Sequence, residues 1–195
     1  PDPVYGRQLQ DKAVAGLAPE GKMAITYEIV PFTFPDGTKI DLRKPTYTAI
    51  DLRYGPLDKT TTVSARVTPA MIGLGLVEAI SDADLKANAD PDDLNHDGIS
   101  GKLQTVADAK GKLRIGRFGW KAENAAIRDQ TAHAFSGDIG ISTPDLPDPN
   151  GDCTAAEKDC LDLPDGEQKR QGTGEAPEKV IALVTFYSQN LAVPA

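Results

Sequence analysis

Residues 23–55 read MAITYEIVPFTFPDGTKIDLRKPTYTAIDLRYG, and this stretch decides the fold of the N-terminal third of the chain. Two runs rich in β-branched and aromatic residues flank Pro35-Asp36-Gly37, and such a tripeptide is typical of a tight turn. After the turn, Ile40 and Leu42 alternate with charged residues, which is the period of a strand. The stretch therefore predicts two strands joined by a short turn, in a small antiparallel sheet.

The apolar pattern becomes helical after residue 67. Thr68 can cap a helix and Pro69 suits its first turn, ahead of the apolar run AMIGLGLVEAI at 70–80. Ser81 is suited to cap the helix that follows. Two more helices are predicted at 121–135 and at 179–193, the last of them stopped by Pro194.

Three weaker patterns complete the expected layout. They are a short helix within residues 4–17, a third strand at 60–67 and short extended pieces within residues 103–120. We therefore expect an α+β fold, with a small antiparallel sheet in the N-terminal third followed by helices and long irregular loops. The chain is expected to be a single domain or a fragment over 1–195, with a strand-rich part at 23–67, a helical part with an acidic loop at 68–135, a long loop at 136–178 and a C-terminal helix at 179–193.

Composition argues against two kinds of partner. The net charge is −8 and the sequence pI is about 4.8, which argues against nucleic acid, because phosphate contacts need an excess of Lys and Arg. No apolar run approaches the ~18 residues that span a membrane. The chain starts at Pro1 without a methionine or a signal peptide, so a trimmed mature protein or an excised fragment is expected.

The stretch DLNHDGI, from Asp93 to Ile99, is called the acidic loop, and it carries the pattern of a calcium loop. Asp93, Asn95 and Asp97 offer side-chain oxygens at alternate positions, a glycine allows the sharp turn, and Ile99 offers its carbonyl. The twelfth position of such a loop is Gln104 in place of a bidentate Glu, so a complete EF-hand is not expected. Two interpretations stay open: a shortened calcium loop completed by Asp90, Asp92 or Asp108, and an Asx-turn with solvated carboxylates.

The two cysteines, Cys153 and Cys160, lie in the sequence GDCTAAEKDC. They belong to neither a CxxC nor a CxxCH motif, so this chain offers no thiolate zinc site and no covalent attachment site for haem. Their short spacing allows a disulfide, which would require an oxidising compartment, and the other interpretation is two free thiols in a surface loop. His96 and His133 are interpreted as solvated or hydrogen-bonded residues, against a proton-relay or metal role.

Aromatic and glycine residues mark two further features. Trp120 ends the sequence GRFGW, where it could pack as a hydrophobic plug beside Arg117 or lie at a redox or ligand surface. Gly73 and Gly75 lie within a helical pattern, which favours the close approach of another backbone or of a flat ligand, with plain helix packing preferred. They lack the third glycine of a dinucleotide-binding fingerprint.

Six segments taken together resemble one family. They are GRQLQD at 6–11, RVTPAMIGLGLVEAI at 66–80, DGISGK at 97–102, GRFGWKAENAAIRDQTAHAF at 116–135, DIGIST at 138–143 and FYSQNLAVPA at 186–195. In this order they look like the bacterial di-haem c-type oxidoreductases, a group of peroxidases or thiol oxidoreductases that is similar to cytochrome c peroxidase and MauG. The resemblance runs over most of the chain, apart from the strand region and the surroundings of the cysteines.

The resemblance implies that the full-length parent protein contains haem c, with one CxxCH motif before a segment like this one and one after it. This chain is then the haem-free segment between the two CxxCH sites, with no haem bound covalently. The resemblance also implies that this segment frames the haems and supports electron transfer. Trp120 becomes a candidate electron relay, and Arg66 and Arg117 become candidate contacts for haem propionates, because a guanidinium pairs with a carboxylate through two hydrogen bonds.

The same resemblance favours a structural calcium ion, while its candidate ligands, Asp93, Asn95, Asp97 and Ile99, come from the pattern of the acidic loop itself. The expected partners are the flanking haem domains of the same polypeptide and a small redox protein, with no nucleic acid and no membrane span. We expect a periplasmic or exported location, a peroxidase-like oxidoreductase as the parent protein, and no activity from this chain alone. The alternative is a stand-alone, calcium-stabilised binding or interaction module without a redox role.

Overall fold

The computed structural model describes residues 1–108 and 111–193, and its secondary structure is α+β, as predicted. In chain order the elements are β1 (Lys22–Thr33), β2 (Lys39–Ile50), α1 (Leu74–Ala79), α2 (Asp82–Ala87), β3 (Thr105–Ala107), β4 (Leu113–Ile115), α3 (Ile127–Ile139), α4 (Lys158–Leu161), a 3-10 turn (Lys169–Gln171) and α5 (Glu178–Gln189). Among the described residues, no helix has the length and apolar character needed to cross a membrane.

The chain forms two compact units. The first comprises Pro1–Arg66 and Asp152–Leu163, and the second comprises Val67–Gly151 and the chain from Pro164 onward. Residues 152–163, which we call the disulfide loop, therefore belong to the same unit as the N-terminal part of the chain and not to the unit of their sequence neighbours. The expected layout of a single domain or fragment in four parts stays a prediction.

In the first unit, β1 and β2 form the antiparallel hairpin that the sequence predicts. The register places Thr33 opposite Lys39, close to the turn. Gly37 has a positive φ of 85°, which favours glycine, and Asp36 accepts a hydrogen bond from the Thr38 amide at 2.9 Å. The turn residues that mark the sequence thus form the turn in the structure.

Most side chains of this hairpin are exposed, including large apolar ones. Tyr27 and Ile29 are 53% and 56% exposed, and Arg43 lies over the Tyr27 ring at 5.0 Å from its centroid. The buried residues of the first unit lie elsewhere, and they include Tyr5 and Glu20. The hairpin determines the fold class but contributes little to the core.

The short helix predicted within residues 4–17 is wrong, since no helix forms there. Asp2 accepts hydrogen bonds from the Val4 and Tyr5 amides at 2.8 and 3.1 Å, and these bonds hold the first residues in a turn. The Tyr5 hydroxyl then donates to the Gly55 carbonyl at 2.6 Å. Side-chain hydrogen bonds thus satisfy backbone groups that a helix would otherwise use.

The strand predicted at 60–67 is also wrong, for a similar reason. Asp58 accepts a hydrogen bond from the Thr60 amide at 2.8 Å, and the Thr61 hydroxyl donates to Asp2 at 2.7 Å. The Thr60 hydroxyl and amide hold the pKa of Asp58 below its usual value. This local turn replaces the extended conformation that the threonine-rich sequence favours.

In the second unit, α1 packs closely against α5. A Cβ atom on Gly75 would lie 2.0 Å from the Gln189 carbonyl oxygen, so this approach requires glycine. Helix packing is therefore the correct interpretation of Gly75. α1 begins later than the predicted run at 70–80, because Gly73 has a φ of 75° and its amide donates to the Leu191 carbonyl at 2.9 Å.

The predicted helix ends are confirmed in part. Ser81 caps α2, and its hydroxyl accepts a hydrogen bond from the Asp84 amide at 3.1 Å. α5 ends earlier than predicted, at Gln189, and the side-chain amide of the next residue, Asn190, donates to the Phe186 carbonyl at 2.8 Å. Pro194, the predicted stop signal, lies outside the described residues.

α3 begins at Ile127, later than the predicted start at 121. The residues before it form a turn in which Phe118 and Asn124 exchange backbone hydrogen bonds of 3.0 and 3.1 Å. Ala122 has a φ of 49°, and its carbonyl oxygen would lie 1.7 Å from a Cβ atom on Gly116. This close approach, which depends on glycine, holds the alanine-rich stretch out of the helix.

The remaining connections are short or irregular. β3 and β4 pair with Thr105 opposite Ile115, which confirms the extended pieces predicted within 103–120, although Lys110 lies outside the described residues. Glu175 organises part of the long loop, because it accepts hydrogen bonds from the Ser142 and Gly166 amides at 2.9 and 2.7 Å.

Candidate functional site

Trp120 lies in residues 116–124, which we call the Trp120 turn. Its indole Nε1 donates a hydrogen bond to the Val67 carbonyl at 2.7 Å, and the residue is 58% exposed. The buried aromatic of the turn is Phe118, which is 4% exposed. The interpretation of Trp120 as a hydrophobic plug is therefore wrong: the ring is fixed at its polar end and accessible at the surface.

The two arginines predicted to contact haem propionates differ in how they are engaged. Arg117 donates to the Ile80 carbonyl at 2.9 Å and to Asp82 at 2.5 Å, and its side chain is 10% exposed. Arg66 belongs to the other unit, where its Nε donates to the Ser64 hydroxyl at 3.1 Å. Arg117 thus connects the Trp120 turn to the start of α2, and the role of both residues at haem stays a prediction.

The acidic loop forms hydrogen bonds with its own backbone. Asp93 Oδ1 accepts from the amides of Asp97 and Gly98 at 3.0 and 3.2 Å. Asn95 Oδ1 accepts from the Asp97 amide at 3.0 Å, and Asp97 Oδ1 accepts from the Ile99 amide at 2.8 Å. The contacts of Asn95 and Asp97 each reach the amide two residues further on and are those of successive Asx-turns, the second of the two interpretations of the sequence.

The geometry gives no support to calcium binding. Over residues 1–108 and 111–193, no group of three or more His, Cys, Asp or Glu side chains is arranged to hold a metal ion. Asp90, one of the three acids considered for completing the ligand set, accepts a hydrogen bond from the Leu94 amide at 2.9 Å. Side-chain oxygens at the predicted ligand positions are thus used to fold the loop.

The predicted disulfide between Cys153 and Cys160 is present, with the Cα atoms 6.4 Å apart. Among the described residues no cysteine is free. A thioether bond to haem needs free cysteine thiols in a CxxCH motif, so the residues of this chain do not fit covalent haem attachment.

His133 lies on α3 beside an amide network. Its Nδ1 is 2.5 Å from Asn124 Oδ1, while Asn124 Nδ2 donates to Gln130 Oε1 at 2.9 Å. Because Asn124 presents an oxygen, Nδ1 is the donor of this hydrogen bond. The ring borders a cavity of about 210 Å³, also lined by Glu123 and Asp129. This geometry agrees with the interpretation of His133 as a hydrogen-bonded residue.

Two charged residues that sequence reasoning missed hold the helices of the second unit together. Glu78 accepts hydrogen bonds from the Ile127 amide at 2.8 Å and from the Gln189 side chain at 2.7 Å. It therefore caps α3 and ties it to α5. The other residue is Arg128, which bonds both Asp145 and Glu178. The partners are distant in sequence, so no local pattern marks either residue.

Sequence reasoning also missed a buried pair of acids in the first unit. Glu20 and Glu157 are 8% and 1% exposed, and a hydrogen bond joins their side chains. Burial and the neighbouring Glu157 carboxyl raise the pKa of Glu20 to about 8. The pair therefore retains one proton at neutral pH.

Comparison with known protein families gives a match over nearly the whole chain. Residues 5–195 match the family model described as "Di-haem oxidoreductase, putative peroxidase". No curated protein and no solved structure matches the chain. The match spans both compact units, including the Trp120 turn and the disulfide loop.

Proposed function

Because this chain belongs to the di-haem oxidoreductase family, we propose that it is the segment between the two haem-binding parts of an exported, peroxidase-like di-haem c-type enzyme. One observation carries this proposal: the chain has two cysteines, and both are used in a single disulfide. A family member with c-type haems needs other cysteines to attach them. This segment then frames the haems and supports electron transfer between them.

Trp120 is the residue to which we assign the relay role in this proposal. Two observations support the assignment, since the indole is exposed and its Nε1 is held by the Val67 carbonyl at 2.7 Å. An aromatic ring fixed at the surface can pack against a neighbouring domain without losing side-chain entropy on contact. Arg66 is the better placed of the two candidate propionate contacts, because Arg117 is engaged with Asp82.

The proposed partners are the flanking haem domains of the same polypeptide and a small redox protein that exchanges electrons with them. The proposed location is the periplasm or another exported compartment. The Cys153–Cys160 disulfide supports this location, because disulfides persist in oxidising compartments.

The test uses the full-length parent protein. We expect a CxxCH motif on each side of this segment, two covalently bound haems and a Soret absorption band. A parent protein without flanking CxxCH motifs and without a Soret band would exclude the proposal and leave the stand-alone binding module. For the relay, Trp120→Phe is expected to slow inter-haem electron transfer at least about tenfold, which corresponds to ~1.4 kcal/mol, at unchanged haem content. Tyr187→Phe, at an exposed aromatic of α5, is the control.

A structural calcium ion in the acidic loop is a subordinate part of the proposal, supported by the spacing of Asp93, Asn95 and Asp97 alone. The measurement is the melting temperature of the chain with calcium and with EDTA, in the wild type and in Asp97→Asn. Equal melting temperatures in the wild type under both conditions would remove calcium from the proposal.

A further inference from the structure

Glu20 and Glu157 bring together two segments of the first unit that are far apart in sequence. Their side chains are hydrogen-bonded to each other and almost fully buried. Glu20 Oε2 also accepts from the Gln10 amide at 2.8 Å, and Glu157 Oε2 accepts from the Thr154 amide at 2.5 Å. Two ionised carboxylates have no donor to share, so one of the two carboxyl groups carries a proton.

The pair lies among the contacts that attach the disulfide loop to the N-terminal segment. Three further contacts make this attachment. They are Asp152 with the Arg7 and Gln8 amides at 2.6 and 3.1 Å, the Thr154 hydroxyl with the Val4 carbonyl at 2.6 Å, and the ion pair of Asp159 with Arg53. Among these contacts, only the glutamate pair joins two buried acidic side chains.

The groups around the pair give little compensation for a second negative charge. Burial raises the pKa of Tyr5 and of Tyr54, and the negative charges of both glutamates raise it further. Asp152 adds a further negative charge near Glu20, and Asp159 adds one near Tyr54.

Arg53 is a cation of this region, and its guanidinium bonds groups other than the glutamate pair. Arg53 donates its backbone amide to the Glu20 carbonyl at 2.8 Å. Its guanidinium donates to the Ala18 carbonyl at 3.0 Å and to Asp159. A second charge on the glutamate pair would therefore be buried without a bonded cation in the described contacts.

We propose that the Glu20–Glu157 pair is a proton-dependent clasp, which holds the disulfide loop on the N-terminal segment while it carries one proton and loosens this attachment when the proton is lost. The Cys153–Cys160 disulfide keeps the loop closed in both states, so the change is in its attachment. Burial, which raises the pKa of Glu20 to about 8, places the release at mildly alkaline pH.

The direction of the pH effect follows from proton linkage. In the unfolded chain a glutamate has a pKa of about 4.3, so the folded state binds the proton more tightly. The stabilisation from this proton is complete below the unfolded value and is lost as pH rises toward the folded value. The clasp is therefore closed at neutral pH and open above about pH 8.

The test measures hydrogen–deuterium exchange of the disulfide loop in the whole chain at about pH 6 and about pH 9, corrected for the intrinsic pH dependence of exchange. In the wild type, protection of residues 152–163 is expected to fall at least about tenfold between these conditions. In Glu20→Gln it is expected to stay constant, because the amide keeps a donor that does not titrate. Glu28→Gln, at an exposed glutamate of β1, is the matched control and should respond like the wild type.

A carbon-13 titration of the glutamate carboxyl groups gives the second readout. A signal that titrates near pH 8 in the wild type and is missing in Glu20→Gln supports the clasp. The clasp is overturned if every glutamate titrates below about pH 6, or if loop protection in the wild type does not depend on pH. Should Glu20→Gln fail to fold, Glu157→Gln and the wild-type titration decide the same question.

Discussion

Arg128 donates one hydrogen bond to each carboxylate oxygen of Glu178, both at 2.7 Å. Its Nε donates to Asp145 at 2.7 Å, so a single guanidinium joins α3, α5 and the chain between them. Arginine suits this position because its planar fork presents several donors in fixed directions. The relationship predicts how the second unit responds to substitution and to acid.

Replacement of Arg128 by lysine is expected to lower the free energy of unfolding by about 1 kcal/mol, because an ammonium group cannot reproduce the forked hydrogen bonds. The expected loss is modest, since the side chains of Arg128 and Glu178 are 33% and 61% exposed. Urea unfolding gives the measurement. Arg114→Lys, at an exposed position of β4, is the control and should change stability little. Equal losses in the two variants would contradict a special role of Arg128.

The same substitution is expected to change the acid sensitivity of the chain. The hydrogen bond from Arg128 is the main reason why the pKa of Glu178 lies below its usual value. A group of this kind stabilises the fold above its unfolded pKa, and the contribution is lost as pH falls through the folded pKa. The stability of Arg128→Lys should therefore decrease less than that of the wild type as pH falls below about 4.5. Urea unfolding across this pH range gives the measurement. If the free energy of unfolding of Arg128→Lys falls as steeply below this pH as that of the wild type, the result would argue against this linkage.

The close contact between α1 and α5 leaves no space for a side chain at position 75. Gly75→Ala places a Cβ atom 2.0 Å from the Gln189 carbonyl oxygen, and the resulting strain should cost roughly 1–3 kcal/mol. Gly137→Ala in α3 is the matched control, because an added Cβ atom there meets no neighbouring atom within 4 Å. It should stabilise the fold by about 0.5–1 kcal/mol through helix propensity. Thermal unfolding of both variants checks the opposite signs, and a stabilising Gly75→Ala would refute the close packing.

Removal of the disulfide is expected to destabilise the first unit. The double substitution Cys153→Ser and Cys160→Ser opens a short loop, and the chain-entropy relation gives a loss of about 2.5 kcal/mol. Denaturant unfolding of the double variant against the oxidised wild type measures the loss. The wild type treated with a reductant should match the double variant. A double variant as stable as the oxidised protein would show that the four other contacts of the loop are sufficient.

Local sequence signals predicted local structure well. The hairpin turn at Asp36 and Gly37 and the cap at Ser81 depend on side chains that act within a few residues of themselves. A disulfide between Cys153 and Cys160 was one of the two interpretations of the sequence, because the chain has two cysteines and a single pairing is possible.

The predicted sites were less well determined, since their assignment needs distant partners. Trp120 could be identified as a distinctive residue, but its exposure depends on the turn that Gly116 permits. The acidic loop has calcium-like spacing, yet spacing does not decide whether the oxygens of Asp93 and Asp97 bind an ion or backbone amides.

The sequence by itself determined the fold class, the hairpin and the family, because each depends on local patterns or on a succession of motifs along the chain. It left the disulfide as one of two interpretations, and the structure decided between them. Only the tertiary structure decided the Glu20–Glu157 pair, the Arg128–Glu178 ion pair and the approach of Gly75 to α5. Each of these joins segments distant in sequence. Burial and hydrogen-bond geometry, which set their energies, exist only after the chain has folded.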